Sequence, residues 1–271
     1  MNNTTTNTRF SLTTHIGGWW AQRRESGEVA ALRQRCPRAT LAAGQIPPAV
    51  GTAWADQAPE EFPGLAVSDG AWLRCSLGFA QFFEACRLQR ELGPCALPSK
   101  AADSVWHAWL KLDPAGLADW QQRYFGRVVP HRESAALGAP QDACLARTWV
   151  GACRSEGASP LGPQLPLLFA LDGLLRLPSG WAYQHKRDAL LHRQIDGFGQ
   201  PSGVAFTHAS VTAAGLVALG LLSEAELLSL RRQQGGDGGG GTGSSSDTGG
   251  CGAGSDGDGC SSGSSCGGGG D

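Results

Sequence analysis

Over residues 68–92 the large apolar side chains Trp72, Cys75, Phe79, Phe82, Phe83 and Cys86 recur at steps of three and four. That spacing follows the α-helical repeat and gathers them on one face, so the stretch has to be a helix buried against other elements. Two more segments have the same character. After the breaker Gly93-Pro94, the pair Pro98-Ser99 opens a helix on which Ala102, Val105, Trp106, Trp109 and Leu110 share a face. Asp113-Pro114 then offers an N-cap and a first-turn proline for a third helix, which presents Leu117, Trp120, Tyr124 and Phe125 and stops at Gly126. The pair reads as a tight helical hairpin.

Residues 141–156 repeat the pattern with Leu145, Trp149, Ala152 and Cys153 before Gly157. A link punctuated by Pro160, Pro163 and Pro166 leads to residues 167–177, which are apolar nearly all round and belong in the core. Near the end, Ser223 and Glu226 make a capping box and Leu222 and Leu227 a hydrophobic staple, starting a helix that runs to about Gln233. Residues 15–68 are weakly periodic and broken by Gly17, Gly18, Pro37, Pro47, Pro48 and Pro63, so no element is assigned there. Residues 181–203 read as irregular or briefly helical, and 204–221 as helix, with Val and Thr leaving strand open. The expected fold class is therefore all-α.

Residues 235–271 are almost entirely Gly, Ser, Asp, Thr and Cys, a composition that cannot bury enough apolar surface to offset its ordering entropy. The expected organisation is a flexible arm at 1–14, one helical domain at 15–234 and a disordered glycine-rich tail at 235–271. All nine Trp precede the tail. Five of the 24 acidic groups fall in the tail, so the body carries 22 basic against 19 acidic groups. No long basic stripe with interleaved aromatics appears, which argues against nucleic acid as a partner. The N-terminus has no basic start followed by an apolar run, and the protein is expected to be cytoplasmic and of bacterial type. Cys36, Cys75, Cys86, Cys95, Cys144 and Cys153 mostly sit in apolar helical patterns and read as small hydrophobes rather than as a disulfide framework. Residues 197–223 lack Asp, Glu, Lys and Arg, yet Thr207, His208, Ser210 and Thr212 interrupt the run, so a buried helix is expected rather than a membrane span.

One segment carries a family likeness. Pro98-Ser99, Asp103, Trp106-His107, Tyr124-Phe125-Gly126 and His131 resemble the glycine-rich domain-containing-protein-like family, whose members show a proline-serine helix start, an Asp three residues before a Trp-His pair, and a helix ending in Gly before another His. The likeness covers about forty residues, and a glycine- and cysteine-rich C-terminus is a familiar companion of it. It implies a helical module and brings no established activity. This chain has Trp109 where members often place His or Phe, and Trp120 at the position matched to a family Tyr.

The candidate chemistry lies in the same segment. Asp103 and His107 are four residues apart, which stacks them on one side of a helix at the border of its apolar arc, and His131 follows the return helix and can come back to that border. A carboxylate with two imidazoles is a ligand set for zinc or iron that leaves positions open for water. The plainer reading has Asp103 orienting His107 and His131 bonding within a loop. Cys95 can approach His107 or His131 as a thiolate, or can be structural. His185 and His192, seven apart, would share a face if that stretch were helical, most simply a solvated one. Tail cysteines Cys251, Cys260 and Cys266 show no Cys-x-x-Cys spacing and read as exposed thiols on a tether. No nucleophile elbow, phosphate-binding loop or His-Glu-x-x-His pair is present.

Three functions stay open at this point. The first is a helical interaction or scaffold module with a disordered tether and a protein partner. The second is a metal-binding protein or metal-dependent enzyme using Asp103, His107 and His131. The third is a membrane-associated protein acting through residues 204–222.

Overall fold

The computed structural model describes Gly27 and residues 30–31, 33–132, 139–186 and 188–235. The expected arm, the tail beyond Gly235 with its cysteines, and Trp19-Trp20 lie outside these residues.

Two prolines in the unassigned N-terminal region start helices: α1 is Pro37–Ala43 and α2 is Pro48–Glu61. Proline fits the first helical position because its fixed φ suits the helix and its missing N–H has no partner there anyway. The long helix expected around residues 68–92 is α3, Asp69–Leu88, with the Ser68 hydroxyl accepting from Ala71 N at 3.1 Å. It is buried almost continuously from Cys75 to Cys86. Packed around it are α1, α4 (Lys100–Leu112), α5 (Pro114–Phe125), α6 (Gln141–Ser155) and α7 (Leu167–Leu174), while α2 lies along α4.

Close approach and tryptophan hydrogen bonds fix these crossings. Gly151 of α6 faces α3 so tightly that a Cβ would stand 2.8 Å from the Ala85 Cα and carbonyl oxygen. Phe79 stacks on Trp120 at 5.4 Å and 8°, and Phe83 meets Trp106 edge-on at 4.9 Å. Several buried indoles have their N–H groups satisfied, although that of Trp109 has no partner. Trp54 donates to Ser104 Oγ at 2.8 Å, joining α2 to α4, and Trp120 donates to Ala42 O at 2.9 Å, joining α5 to α1. Leu110, expected on the apolar face of α4, is instead exposed.

The all-α expectation is overturned by a three-stranded antiparallel sheet, so the fold is mixed α/β. Strands β1 (Trp181–Lys186), β2 (Ala189–Ile195) and β3 (Pro201–His208) lie in the order β1-β2-β3. Lys186 pairs with Ala189 across a tight turn in which Asp188 takes φ 59°, a left-handed conformation that Asp tolerates better than most residues. The strands escape a period-two reading for a physical reason. A register shift between His192 and Gln194 breaks the alternation of β2, and β3 leaves Val204 and Phe206 exposed. A short 3-10 turn, Ala209–Val211, leads to α8 (Ala213–Ala218) and α9 (Glu224–Gly235). The run once considered for membrane association is thus divided between a strand, a turn and a short helix. Among the described residues no helix is long and apolar enough to cross a membrane. The capping box at α9 forms as expected, Glu226 N donating to Ser223 Oγ at 3.2 Å and Ser223 N to Glu226 Oε2 at 2.8 Å.

Candidate metal centre

The N-terminus of α4 is held from two sides. Ser99 Oγ accepts from Ala102 N at 3.1 Å, a normal N-cap, and donates to Asp172 Oδ1 at 2.6 Å. Asp172, wholly buried on α7, also accepts from Ala101 N, Lys100 N and Trp181 N, each at 3.1 Å. One carboxylate therefore ties α7, β1 and the start of α4 together. Burial pushes its pKa up while the four donors pull against that shift.

From this fixed end, Asp103 falls in the first turn of α4 and His107 one turn later. Their neighbours Ala102, Val105 and Trp106 are buried, which leaves the Asp103 and His107 side chains about one-third exposed at the edge of the apolar face. His131 arrives by a different route. Gly126 ends α5 at φ 73°, where a Cβ would be strained, and the chain turns back. The buried Gln121 side chain then accepts from Val129 N at 2.6 Å and pins the returning segment. His131, two residues on, meets the Trp106 ring edge-on at 4.7 Å.

The structure brings all three predicted residues together. His131 Nε2 lies 3.0 Å from Asp103 Oδ1 and 3.1 Å from His107 Nε2, and His107 Nε2 lies 3.6 Å from Asp103 Oδ2. A fourth residue, absent from the sequence reading, completes the arrangement: Glu61, at the end of α2, bonds His107 Nδ1. With Nδ1–H donated to that carboxylate, His107 turns the lone pair of Nε2 toward the cluster. His131 is pushed above the ordinary histidine range, first by its hydrogen bond to Asp103 and further by the Asp103 and Glu61 charges, against the opposing effect of burial.

Two imidazole nitrogens this close need something between them: either one proton on His131 Nε2 or one cation. The spacing suits a cation. Donor atoms about 2.1 Å from a tetrahedral ion stand about 3.4 Å apart, and the observed separations lie near that value: His131 Nε2 is 3.0 Å from Asp103 Oδ1 and 3.1 Å from His107 Nε2, and His107 Nε2 is 3.6 Å from the other Asp103 oxygen. Asp103, His107 and His131 each offer one ligand atom within 4.8 Å of the others. The cluster opens on a pocket of about 640 Å³ that is also lined by Trp106, Arg127, Cys86 and Cys95. Arg127 is half-buried there. Cys95 shares the pocket but stands outside the ligand group.

The other histidines are arranged differently from expectation. His185 and His192 lie on neighbouring strands rather than one helix face. His185 is buried and stacked on Trp149 at 5.2 Å, with its Nε2 unpartnered, and desolvation lowers its pKa. His192 Nδ1 lies 2.8 Å from His208 Nε2, and His208 Nδ1 lies 2.9 Å from Asp142 Oδ1, a carboxylate-imidazole-imidazole chain at the sheet.

Comparison with protein-family models finds a match to the model described as UCP032817-like over residues 56–203, more than half of the chain. That span includes Glu61, Asp103, His107 and His131. No curated protein and no solved structure matches the chain.

Proposed function

The chain belongs to the UCP032817-like family, and we propose that it is a metal-binding protein holding a zinc or iron ion on Asp103, His107 and His131. The observation that carries this reading is the convergence of two Nε2 atoms and a carboxylate oxygen at ligand-to-ligand spacing. Glu61 supports it by orienting His107, as carboxylates do behind metal-bound histidines. Three protein ligands would leave room in the shell for water, and a metal held by these pocket-lining residues would supply Lewis-acid activation of water or of a substrate oxygen. Arg127 lines the same pocket. A cytoplasmic setting is part of this reading, since the six described cysteines are free thiols.

Elemental analysis of untagged protein tests the proposal. Zinc or iron at about one equivalent per chain is expected, falling to background in Asp103→Ala and in His131→Ala while both variants stay folded by circular dichroism. Metal-free wild-type protein that also takes up neither ion on dialysis would overturn it.

A second reading, an interaction module, is favoured by one observation. Phe198, Val204 and Phe206 stand exposed on the β2–β3 hairpin, two of them on an edge strand. Val204→Lys and Phe206→Lys would abolish association with a protein partner on that reading and leave metal content unchanged.

A further inference from the structure

The segment that carries His131 also carries a cation with nothing to balance it. After Gly126 ends α5, burial alternates along the returning chain: Arg127, Val129 and His131 are half-buried, and Val128, Pro130 and Arg132 are exposed. Alternation of this kind sends every second side chain of an extended stretch to one side, so Arg127 faces the same way as His131. The bond from Val129 N to Gln121 Oε1 at 2.6 Å fixes the chain between them. Arg127 and His131 accordingly line one pocket of about 640 Å³, together with Asp103, Trp106 and His107 of α4.

Arg127 differs from Arg87 and Arg147, which are half-buried too. Arg87 meets both oxygens of Glu84 at 2.7 Å, and Arg147 donates to Pro94 O at 3.1 Å. Among the described residues Arg127 has neither a hydrogen bond nor an ion pair. Arginine is seldom withdrawn from water unless something pairs with it, because a guanidinium gives up hydration that only acceptors replace. The charges around the pocket point the same way. Asp103 is the only acidic group among the described residues that line it, and with Glu61 behind His107 it matches the two charges of a divalent ion. Arg127 and Arg132 are then left unopposed.

We propose that the pocket binds a small phosphate monoester, with the phosphate between the metal and the Arg127 guanidinium and the organic part against Phe82 and Trp106. The place of the phosphate beside an ion rests on the metal reading; its contact with Arg127 does not. A phosphate dianion carries the two negative charges that Arg127 and Arg132 call for. It also has three terminal oxygens, enough for one to reach the metal while two meet the guanidinium fork. A carboxylate has only two oxygens and cannot serve both fully. Phe82 and Trp106 supply the apolar wall, and the pocket volume is that of a small-molecule site.

Isothermal titration of the zinc-loaded, full-length protein with phenyl phosphate tests this. Binding of about one equivalent is expected, at least about tenfold tighter than that of benzoate. Arg127→Met should weaken it by at least about tenfold. Zinc content and melting midpoint should not change, since Arg127 has no bond within the protein to lose. Arg127→Lys, which keeps the charge without the fork, should fall between the two. Arg123→Met removes an exposed arginine of α5 outside the pocket and should change nothing. The proposal is overturned if phenyl phosphate does not bind, if benzoate binds as tightly, or if Arg127→Met leaves the affinity intact. Should the protein take up no metal, the metal reading falls alone, and the same titration of metal-free protein decides this one. Binding that Arg127→Met weakens would uphold the phosphate site, and absent binding or binding indifferent to Arg127 would overturn it.

Discussion

Removing the Asp172 carboxylate is the most demanding test of how the candidate metal site is supported. Its two oxygens accept four hydrogen bonds, from Ser99 Oγ and Ala101 N on Oδ1 and from Lys100 N and Trp181 N on Oδ2. Asp172→Ala strands four donors, two of them buried and two part-buried, and each buried donor left unmade costs roughly 1–3 kcal/mol. Even the low end gives about 4 kcal/mol, a large share of the 5–15 kcal/mol typical of a folded domain. In a body of this size each kcal/mol lowers the melting midpoint by about 2–4 °C, so a fall of roughly 8–16 °C is expected by differential scanning fluorimetry. Asp172→Asn discriminates the mechanism. Whichever way the amide is turned, its NH2 meets two donors, so about half the loss should persist although the shape is preserved. Ser68→Ala, which removes a simple N-cap on α3, should cost only about 1 kcal/mol. Because Asp172 anchors the first turn of α4, which contains Asp103, the Asp172→Ala protein should also bind metal more weakly than Ser68→Ala. A midpoint change of less than about 2 °C in Asp172→Ala would refute the reasoning.

Other outcomes follow from the same packing. Trp106, 4% exposed with Phe82, Phe83 and His131 around its ring, should cost about 3–5 kcal/mol when replaced by Ala. His107→Ala, at the edge of that face, should cost nearer 1 kcal/mol in urea unfolding of metal-free protein, and equal losses would contradict this. Gly151→Ala should destabilise by about 1–3 kcal/mol, because the added methyl meets Ala85 backbone with no flexible neighbour to yield; an unchanged urea midpoint would show that α3 and α6 separate freely. His185 has a lowered pKa, so the unfolded chain takes up a proton near pH 6.5 that the folded chain refuses. Its contribution is fully present above that pH and is lost as pH falls from there toward the folded value, so His185→Phe should show a shallower loss of stability between pH 7 and 5 than the wild type.

What the sequence revealed and what it hid divide along one physical line. Features made of neighbouring residues were legible: the faces of α3 to α6, the caps at Ser99, Asp113 and Ser223, the stop at Gly126, and the stacking of His107 one turn beyond Asp103. Each follows from helical spacing or from a side chain bonding its own backbone. Pro37 and Pro48 were read as interruptions because a proline marks a helix start and a helix end with the same letter, and only the packing of α1 and α2 separates the two cases. The sheet was hidden because its polar His185, Gln194 and Ser202 sit among apolar residues without alternation once the register shifts in β2. At the candidate metal site the same division holds. Asp103, His107 and His131 were found from a helical spacing and a hairpin, whereas Glu61 approaches from a helix 46 residues away that had not been assigned. Asp172 did leave a signal: it is the only charged residue in the apolar run 167–175, and a lone carboxylate in a core helix must have donors waiting for it. That asymmetry has a cause. The ligands of such a site are chosen for local geometry, which a sequence displays, while the groups that orient them act across the fold, where sequence distance carries no information about contact.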